Sequence, residues 1–217
     1  MTHAHDANVL DAAAPHAIEW VAQTILEGGV VALPTDTVYG IAASVANDAA
    51  LARIYEIKGR DASQPLPILV DSPDVLERLS PGIDPRVALL LDRFWPGPLT
   101  VAIPARPGLA RPLIGPGETV GVRMPNHPLA LEIIGKAGGM IACTSANYSG
   151  EPPARTAAEV VASVGPALDV TLDGGNTPGG VPSTVIAIRD GQPVVLRQGA
   201  IASEEIATAW QELADLG

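Results

Sequence analysis

The sequence predicts an α/β fold, a mixed β-sheet with helices packed against it, and three observations carry that prediction. Short apolar, β-branched runs alternate with longer segments whose apolar residues recur at helical spacing. Asp190-Gly191 sits between two such runs, a hairpin signature that mixes antiparallel pairing with β-α-β units. Aromatics make up 3% of a chain that is 47% hydrophobic, and 22 Gly and 21 Pro break it into many short elements.

Taken in order, His16 to Glu27 places Ile18, Val21, Ile25 and Leu26 on one helical face, with Pro15 suited to the first turn and Gly28-Gly29 to the end. Val30 to Leu33 reads as a buried strand running into the polar loop that starts at Pro34. Asn47 caps a helix through Ile57, with Leu51, Ile54 and Ile57 inward. A strand at Ile68 to Val70 follows. Ser72-Pro73 and Asp84-Pro85 each pair a cap with a proline at the first helical position, opening helices near 73–79 and 85–94. Leu99 to Ile103 and Thr119 to Val122 are strands; Asn126-His127-Pro128 opens a helix that stops at Gly138-Gly139. Met140 to Cys143 is a strand, Thr156 and Glu159 have capping-box spacing for a helix to Val164, and Leu168 to Leu172 is a further strand. Beyond a Gly-rich loop at 173–182, Val185 to Ile188 and Val194 to Arg197 form the hairpin, and an amphipathic helix spans Ser203 to Leu216.

The 217 residues suit one domain over 15–217, preceded by a flexible N-terminal segment, 1–14. No signal peptide is expected, and no apolar run reaches the roughly 20 residues a membrane-spanning helix needs. Cys143 is the single cysteine, so internal disulfides and multi-cysteine metal sites are excluded and a cytoplasmic location is expected. A net charge of −11 is a poor match to nucleic acid and favours a small substrate.

Several chemistries are excluded. GxxxxGK[ST] is absent, and Gly115-Pro116-Gly117 with Gly121 has the wrong spacing for a dinucleotide fingerprint. Three of the four histidines, His3, His5 and His16, lie near the N-terminus, and GxSxG is absent, which argues against a serine hydrolase. HExxH is absent too, so a metal is expected to arrive with a substrate and to have no dedicated protein ligands.

Four loops are polar where simpler turns would serve: 34–40 (PTDTVYG), Lys58-Gly59-Arg60, Thr144-Ser145-Ala146-Asn147, and Pro182-Ser183-Thr184 with Arg197. Most flank strands, where α/β proteins place ligand-binding groups, so the four are expected to share one cleft. Lys58 and Arg60 fit a polyphosphate site or an ordinary positively charged helix C-terminus. Thr35, Thr37 and Tyr39 fit a hydroxyl cluster for an amino acid or a strand end. Ser145 and Asn147 fit phosphate or ribose contacts or plain turn residues. Asp36 fits an Asx-turn cap, a general base or a metal contact. Arg123 and Arg197 fit carboxylate or phosphate clamps or exposed strand ends. Cys143 fits a small core position.

Seven ordered segments resemble the YrdC-like family of threonylcarbamoyl-AMP synthases: GGVVALPTDTVYGIAA, IKGRDASQPLPILV, WPGPLTVAIPA, TVGVRMPNHP, TSANYSGEPP, PSTVIAI and VVLRQGA. The likeness runs from about Ile18 to Gly199. It implies a twisted, open mixed sheet with flanking helices around a concave, positively lined cavity. It implies nucleotidyl transfer, in which L-threonine, bicarbonate and ATP with Mg²⁺ give threonylcarbamoyl-AMP and diphosphate for the threonylcarbamoyladenosine base of tRNA. By the same resemblance Lys58, Arg60, Gln64, Ser145, Asn147 and Arg197 contact ATP, with Thr119 nearby, and Lys58 and Arg60 carry catalysis. Thr35, Thr37, Arg123 and Ser183 hold threonine, helped by the backbone around Cys143.

The sequence departs from the family pattern at Leu69, where some members carry a threonine-binding histidine; at Gln64, where a basic or amide residue is usual, it has the amide, which can hydrogen-bond phosphate but adds no charge. A single-domain form is expected, without the C-terminal domain that longer relatives carry. The partner implied is a separate tRNA threonylcarbamoyl transferase complex. Two alternatives stay open: a YrdC-like paralogue that binds RNA, weakly given the acidic charge, and one acting on a different carbamoyl substrate.

Overall fold

A computed structural model describes residues 8–61 and 63–214. Eighteen elements follow one another: β1 (Val9–Asp11), α1 (Ala17–Leu26), β2 (Val31–Leu33), β3 (Gly40–Ala43), α2 (Asp48–Lys58), β4 (Ile68–Val70), α3 (Leu76–Leu79), α4 (Pro85–Phe94), β5 (Leu99–Pro104), β6 (Ile114–Gly115), β7 (Thr119–Arg123), α5 (Pro128–Lys136), β8 (Met140–Ser145), α6 (Ala157–Ser163), β9 (Val170–Asp173), β10 (Thr184–Arg189), β11 (Gln192–Arg197) and α7 (Ser203–Ala214). The strands form one 11-stranded mixed sheet in the order β1-β9-β2-β3-β8-β4-β7-β5-β10-β11, with β6 added beside β7.

The expected caps form. Asn47 Oδ1 accepts from Ala50 N at 2.9 Å, Asp84 Oδ1 from Arg86 N at 2.8 Å, and Thr156 Oγ1 from Glu159 N at 3.1 Å. Asp190 and Gly191 both take positive φ, 50° and 71°, as the tight β10–β11 turn requires. α1 differs in detail. His16 precedes it at φ 62° without a side-chain cap, which leaves Pro15 outside the helix. The buried stripe is Ala17, Val21 and Ile25, and Leu26, one position further round the helix, is 53% exposed.

The segment from Gly40 to Ala43, assigned no structure from sequence, pairs antiparallel with both β2 and β8. All four of its residues are buried on both faces, so they show no alternation to read. Part of the N-terminal segment expected to be flexible is ordered: Val9–Asp11 lies parallel to β9, while residues 1–7 are outside the described residues. Of the last helix, only the part to Ala214 is described.

Alternating residues of the central strands feed two cores. Ala32, Ile41, Ile68, Val101, Val122 and Ile186 point to one face, where α2, α4, α6 and α7 supply Leu51, Ile54, Leu90, Val160 and Trp210. Val31, Leu33, Ala42, Leu69 and Cys143 point to the other, where α1 and α5 supply Val21, Ile25, Ile133 and Ile134. The helices contacting this second face, α1 and α5, pack against β2, β4, β8 and β9. The same face of β5, β7 and β10 is open and forms the floor of a cleft.

Candidate active site

The cleft has a volume of about 510 Å³ and is floored by Thr100, Ala102, Gly121, Arg123 and Val185. That is the size range of small-molecule sites, roughly 300–1,000 Å³. All four polar loops reach it, through Thr35 and Thr37, Arg60, Thr144 and Ser145, and Ser183 with Arg197. Gln64, Thr119, Leu69 and Cys143 complete much of the wall. Most of the expected site residues therefore converge from segments far apart in the chain.

Lys58 and Asn147 do not line the cleft. Lys58 is 3% exposed, and its Nζ donates to Ser145 O at 2.5 Å, Asn147 O at 2.9 Å and Asn147 Oδ1 at 3.2 Å. Asn147 Nδ2 donates to Tyr148 O and Glu151 O at 2.8 and 2.7 Å. The ammonium and the amide thus tie down the loop that presents Thr144 and Ser145. Burial, helped by the Arg60 charge, pushes the Lys58 pKa down to about 8.

Three arginines share the cleft. Arg60 donates from Nη1 to Thr144 Oγ1 and from Nη2 to Pro65 O, both at 3.1 Å, and its Nε is buried without a partner. Arg197 Nη2 donates to Ser183 O at 2.9 Å and to Ser183 Oγ at 3.1 Å. Burial lowers the pKa of both, and repulsion from Arg60 and Arg123 adds to the effect at Arg197. Among the described residues no Asp or Glu lines the cleft. An acidic chain has gathered uncompensated positive charge in one desolvated place, which suits it to an anion.

Arg123 differs from the other two. Its Nε donates to Gly97 O at 3.0 Å, Nη1 to Thr37 Oγ1 at 3.1 Å, and Nη2 to Asp36 Oδ1 at 2.5 Å. Asp36 is accordingly an ion-pair partner, a role not among the three read from sequence. Thr35 Oγ1 donates to Val38 O at 2.7 Å, so the proton in the 3.0 Å Thr35–Thr37 contact comes from Thr37. Both hydroxyl protons are spent inside the loop, so Thr37 Oγ1, which also accepts from Arg123, has only acceptor capacity to offer the cleft.

Thr100 was missed from sequence. It is 3% exposed, and its hydroxyl pairs with Ser183 Oγ at 2.8 Å on the cleft floor. A hydroxyl inside an apolar strand run was the available signal. Cys143 is 5% exposed beside Gly40, and burial raises its thiol to about 12, which keeps it neutral. Among the described residues no cluster of three His, Cys, Asp or Glu is placed to hold a metal ion.

The profile of the Sua5/YciO/YrdC family, described as telomere recombination, matches residues 23–199. The chain belongs to that family. A Bacillus subtilis member of the Sua5/YciO/YrdC family named threonylcarbamoyl-AMP synthase is 42% identical over 190 residues, covering 87% of this chain and 55% of the relative. Another from Pyrococcus abyssi, with the same name, is 43% identical over 182 residues, covering 84% and 54%. The chain spans about half the length of these curated relatives. The crystal structure of P. abyssi Sua5 complexed with L-threonine superposes with a TM-score of 0.87 at 39% identity, covering 93% of this chain and 60% of that one. Family membership and the mixed sheet expected from the motifs are both borne out.

Proposed function

We propose that the chain is an L-threonylcarbamoyladenylate synthase, a nucleotidyltransferase that forms threonylcarbamoyl-AMP and diphosphate from L-threonine, bicarbonate and ATP. The observation that carries this reading is the cleft itself: Arg60, Arg123 and Arg197 converge with hydroxyls in about 510 Å³, with no lining carboxylate among the described residues. The names of the relatives and the threonine complex of P. abyssi Sua5 support it.

In this reading threonine's amine adds to the carbon of CO2, drawn from bicarbonate, losing a proton to give a carbamate. A carbamate oxygen then attacks the α-phosphorus of ATP, and the bond to the β-phosphate oxygen breaks as diphosphate leaves. Such steps depend mainly on alignment and on charge stabilisation at the phosphoryl oxygens. Arg60 and Arg197 supply that charge, and Ser145, Thr119 and Gln64 lie on the same wall for further phosphate or ribose contacts. Mg²⁺ enters with the nucleotide, held by phosphate oxygens and water. Arg123 takes the carboxylate of threonine, with Ser183, Thr37 and the backbone near Cys143 around the rest of the molecule. Leu69, only 4% exposed on the cleft wall, offers an apolar surface where some relatives carry histidine. Lys58 and Asn147 act from behind the lining, by fixing the loop that presents Thr144 and Ser145, and Thr35, on the cleft wall, holds Thr37 in place through its hydroxyl.

The labile product passes to a tRNA-modifying transferase, in the cytoplasm. Among the described residues no helix is long and apolar enough to cross a membrane. The test is diphosphate release with ATP, Mg²⁺ and bicarbonate, comparing L-threonine, L-serine and no amino acid, with the nucleotide product identified by mass. Threonine-dependent release of threonylcarbamoyl-AMP is the expected result. Nucleotide binding without turnover would refute the reading.

A further inference from the structure

The three cleft arginines are held by different kinds of partner, and the difference lies behind the lining. Arg60 and Arg197 donate only to neutral oxygens. Arg123 pairs with a carboxylate, and the side chains of Arg123 and Asp36 are only 7% and 11% exposed. Among the described residues this is the only salt bridge to any of the three. Asp36 does not line the cleft, although Thr35 and Thr37 on either side of it do.

We propose that Asp36 is a positioning residue that sets both the orientation and the net charge of Arg123, making this part of the cleft selective for the carboxylate of a zwitterionic amino acid over a phosphate. The inference rests on the proposed function, which supplies the amino acid. A guanidinium carries five N–H donors. Gly97 O, Thr37 Oγ1 and Asp36 Oδ1 take three of them, one on each nitrogen. One hydrogen is left on Nη1 and one on Nη2, the number a carboxylate takes in a two-point contact. Anchored at three nitrogens, the group loses little freedom when a ligand binds.

Charge follows the same division. Arg123 with Asp36 is neutral as a pair, whereas Arg60 and Arg197 carry two uncompensated positive charges. A polyphosphate gains most beside Arg60 and Arg197. A zwitterion has no net charge to gain there, and its carboxylate instead finds oriented donors at Arg123. Without Asp36 all three arginines present free charge, and the part of the cleft meant for the amino acid also attracts phosphate.

The test is calorimetric titration of the full chain and its variants with L-threonine and, separately, with ATP. Asp36→Asn keeps an acceptor oxygen but removes the charge, and is expected to weaken threonine binding about 10-fold or more, as for the loss of a charged hydrogen bond. ATP affinity should stay the same or rise. Asp36→Glu keeps the charge but moves it by one methylene, and should bind threonine more weakly than the unmodified chain and more tightly than Asp36→Asn. Unchanged threonine affinity in Asp36→Asn overturns the proposal, as does an equal loss of threonine and ATP affinity, which marks general damage. If Asp36→Asn does not fold, Asp36→Glu decides: weaker threonine with intact ATP binding supports the proposal, and full threonine affinity overturns it. An unmodified chain that binds no threonine would refute the proposed function and this inference with it, a result distinct from equal binding by chain and variant.

Discussion

Replacing Lys58 with methionine should separate activity from stability. The substitution keeps an unbranched stem of similar length in a site that is 3% exposed, and removes only the ammonium. Asn147 O and Asn147 Oδ1 then lose the partner they have here, whereas Ser145 O still accepts from Asn147 N at 3.1 Å. Two buried acceptors left unpaired cost roughly 1–3 kcal/mol each. Against this, burial of the charged group is relieved; the fall in pKa from 10.5 to about 8 corresponds to roughly 3 kcal/mol. The two effects are similar in size and opposite in sign. The melting temperature at neutral pH should therefore move by only a few degrees, since about 1 kcal/mol shifts a domain of this size by roughly 2–4 °C. Activity has no such offset, because the 144–147 loop loses the clamp that holds it against the cleft. We expect kcat/KM for threonylcarbamoyl-AMP formation to fall by about 10² or more. The assay is diphosphate release alongside a thermal melt of the same preparation. A variant with kcat/KM within about threefold of the unmodified chain would refute the clamp, since three hydrogen bonds to one loop would then count for nothing.

Lys58 also predicts a dependence on pH. Its folded pKa lies below the ordinary value, so between about 8 and 10.5 the unfolded chain holds a proton that the folded chain lacks, and the contribution of this residue to stability rises with pH across that window. ATP affinity should fall over the same window as the clamp loses its charge; titrations and melts on either side of about pH 8 should show opposite slopes that Lys58→Met abolishes. Arg60→Ala removes a cleft cation bound to Thr144 and Pro65 and should lower the turnover rate by about 10²–10³ with little change in threonine affinity. Gly199→Ala would drive its Cβ into the backbone of Pro182 and Ser183, which no rotamer change relieves. A loss of roughly 1–3 kcal/mol in denaturant unfolding is expected, together with weaker ATP binding because Ser183 carries Arg197.

Most local signals in the sequence were read correctly, the start of α1 at Pro15 being an exception. The caps at Asn47, Asp84 and Thr156 act over two or three residues, and the Asp190-Gly191 turn needs only its own backbone angles. β3 was missed because Gly40 to Ala43 is buried on both faces between β2 and β8, so burial leaves no pattern of alternation. β1 was missed because three residues pairing only with β9 have no periodicity of their own. Arg60, Arg123, Ser145, Ser183 and Arg197, which line the cleft, were expected there through ordered motifs, and their types alone left ordinary turn and strand-end roles open.

The sequence alone determined most of the element order, the caps at Asn47, Asp84 and Thr156, the family and most of the residues that reach the cleft. Tertiary structure decided which of those residues line the cleft and which lie behind it. Lys58 meets Asn147 across 89 positions of chain and Arg123 meets Asp36 across 87, distances over which neither composition nor spacing specifies a partner. It also decided the electrostatics, because a total charge of −11 says nothing about where charges lie. Folding brings three arginines onto the sheet face that α1 and α5 leave open and, among the described residues, puts a carboxylate behind one of them, Arg123.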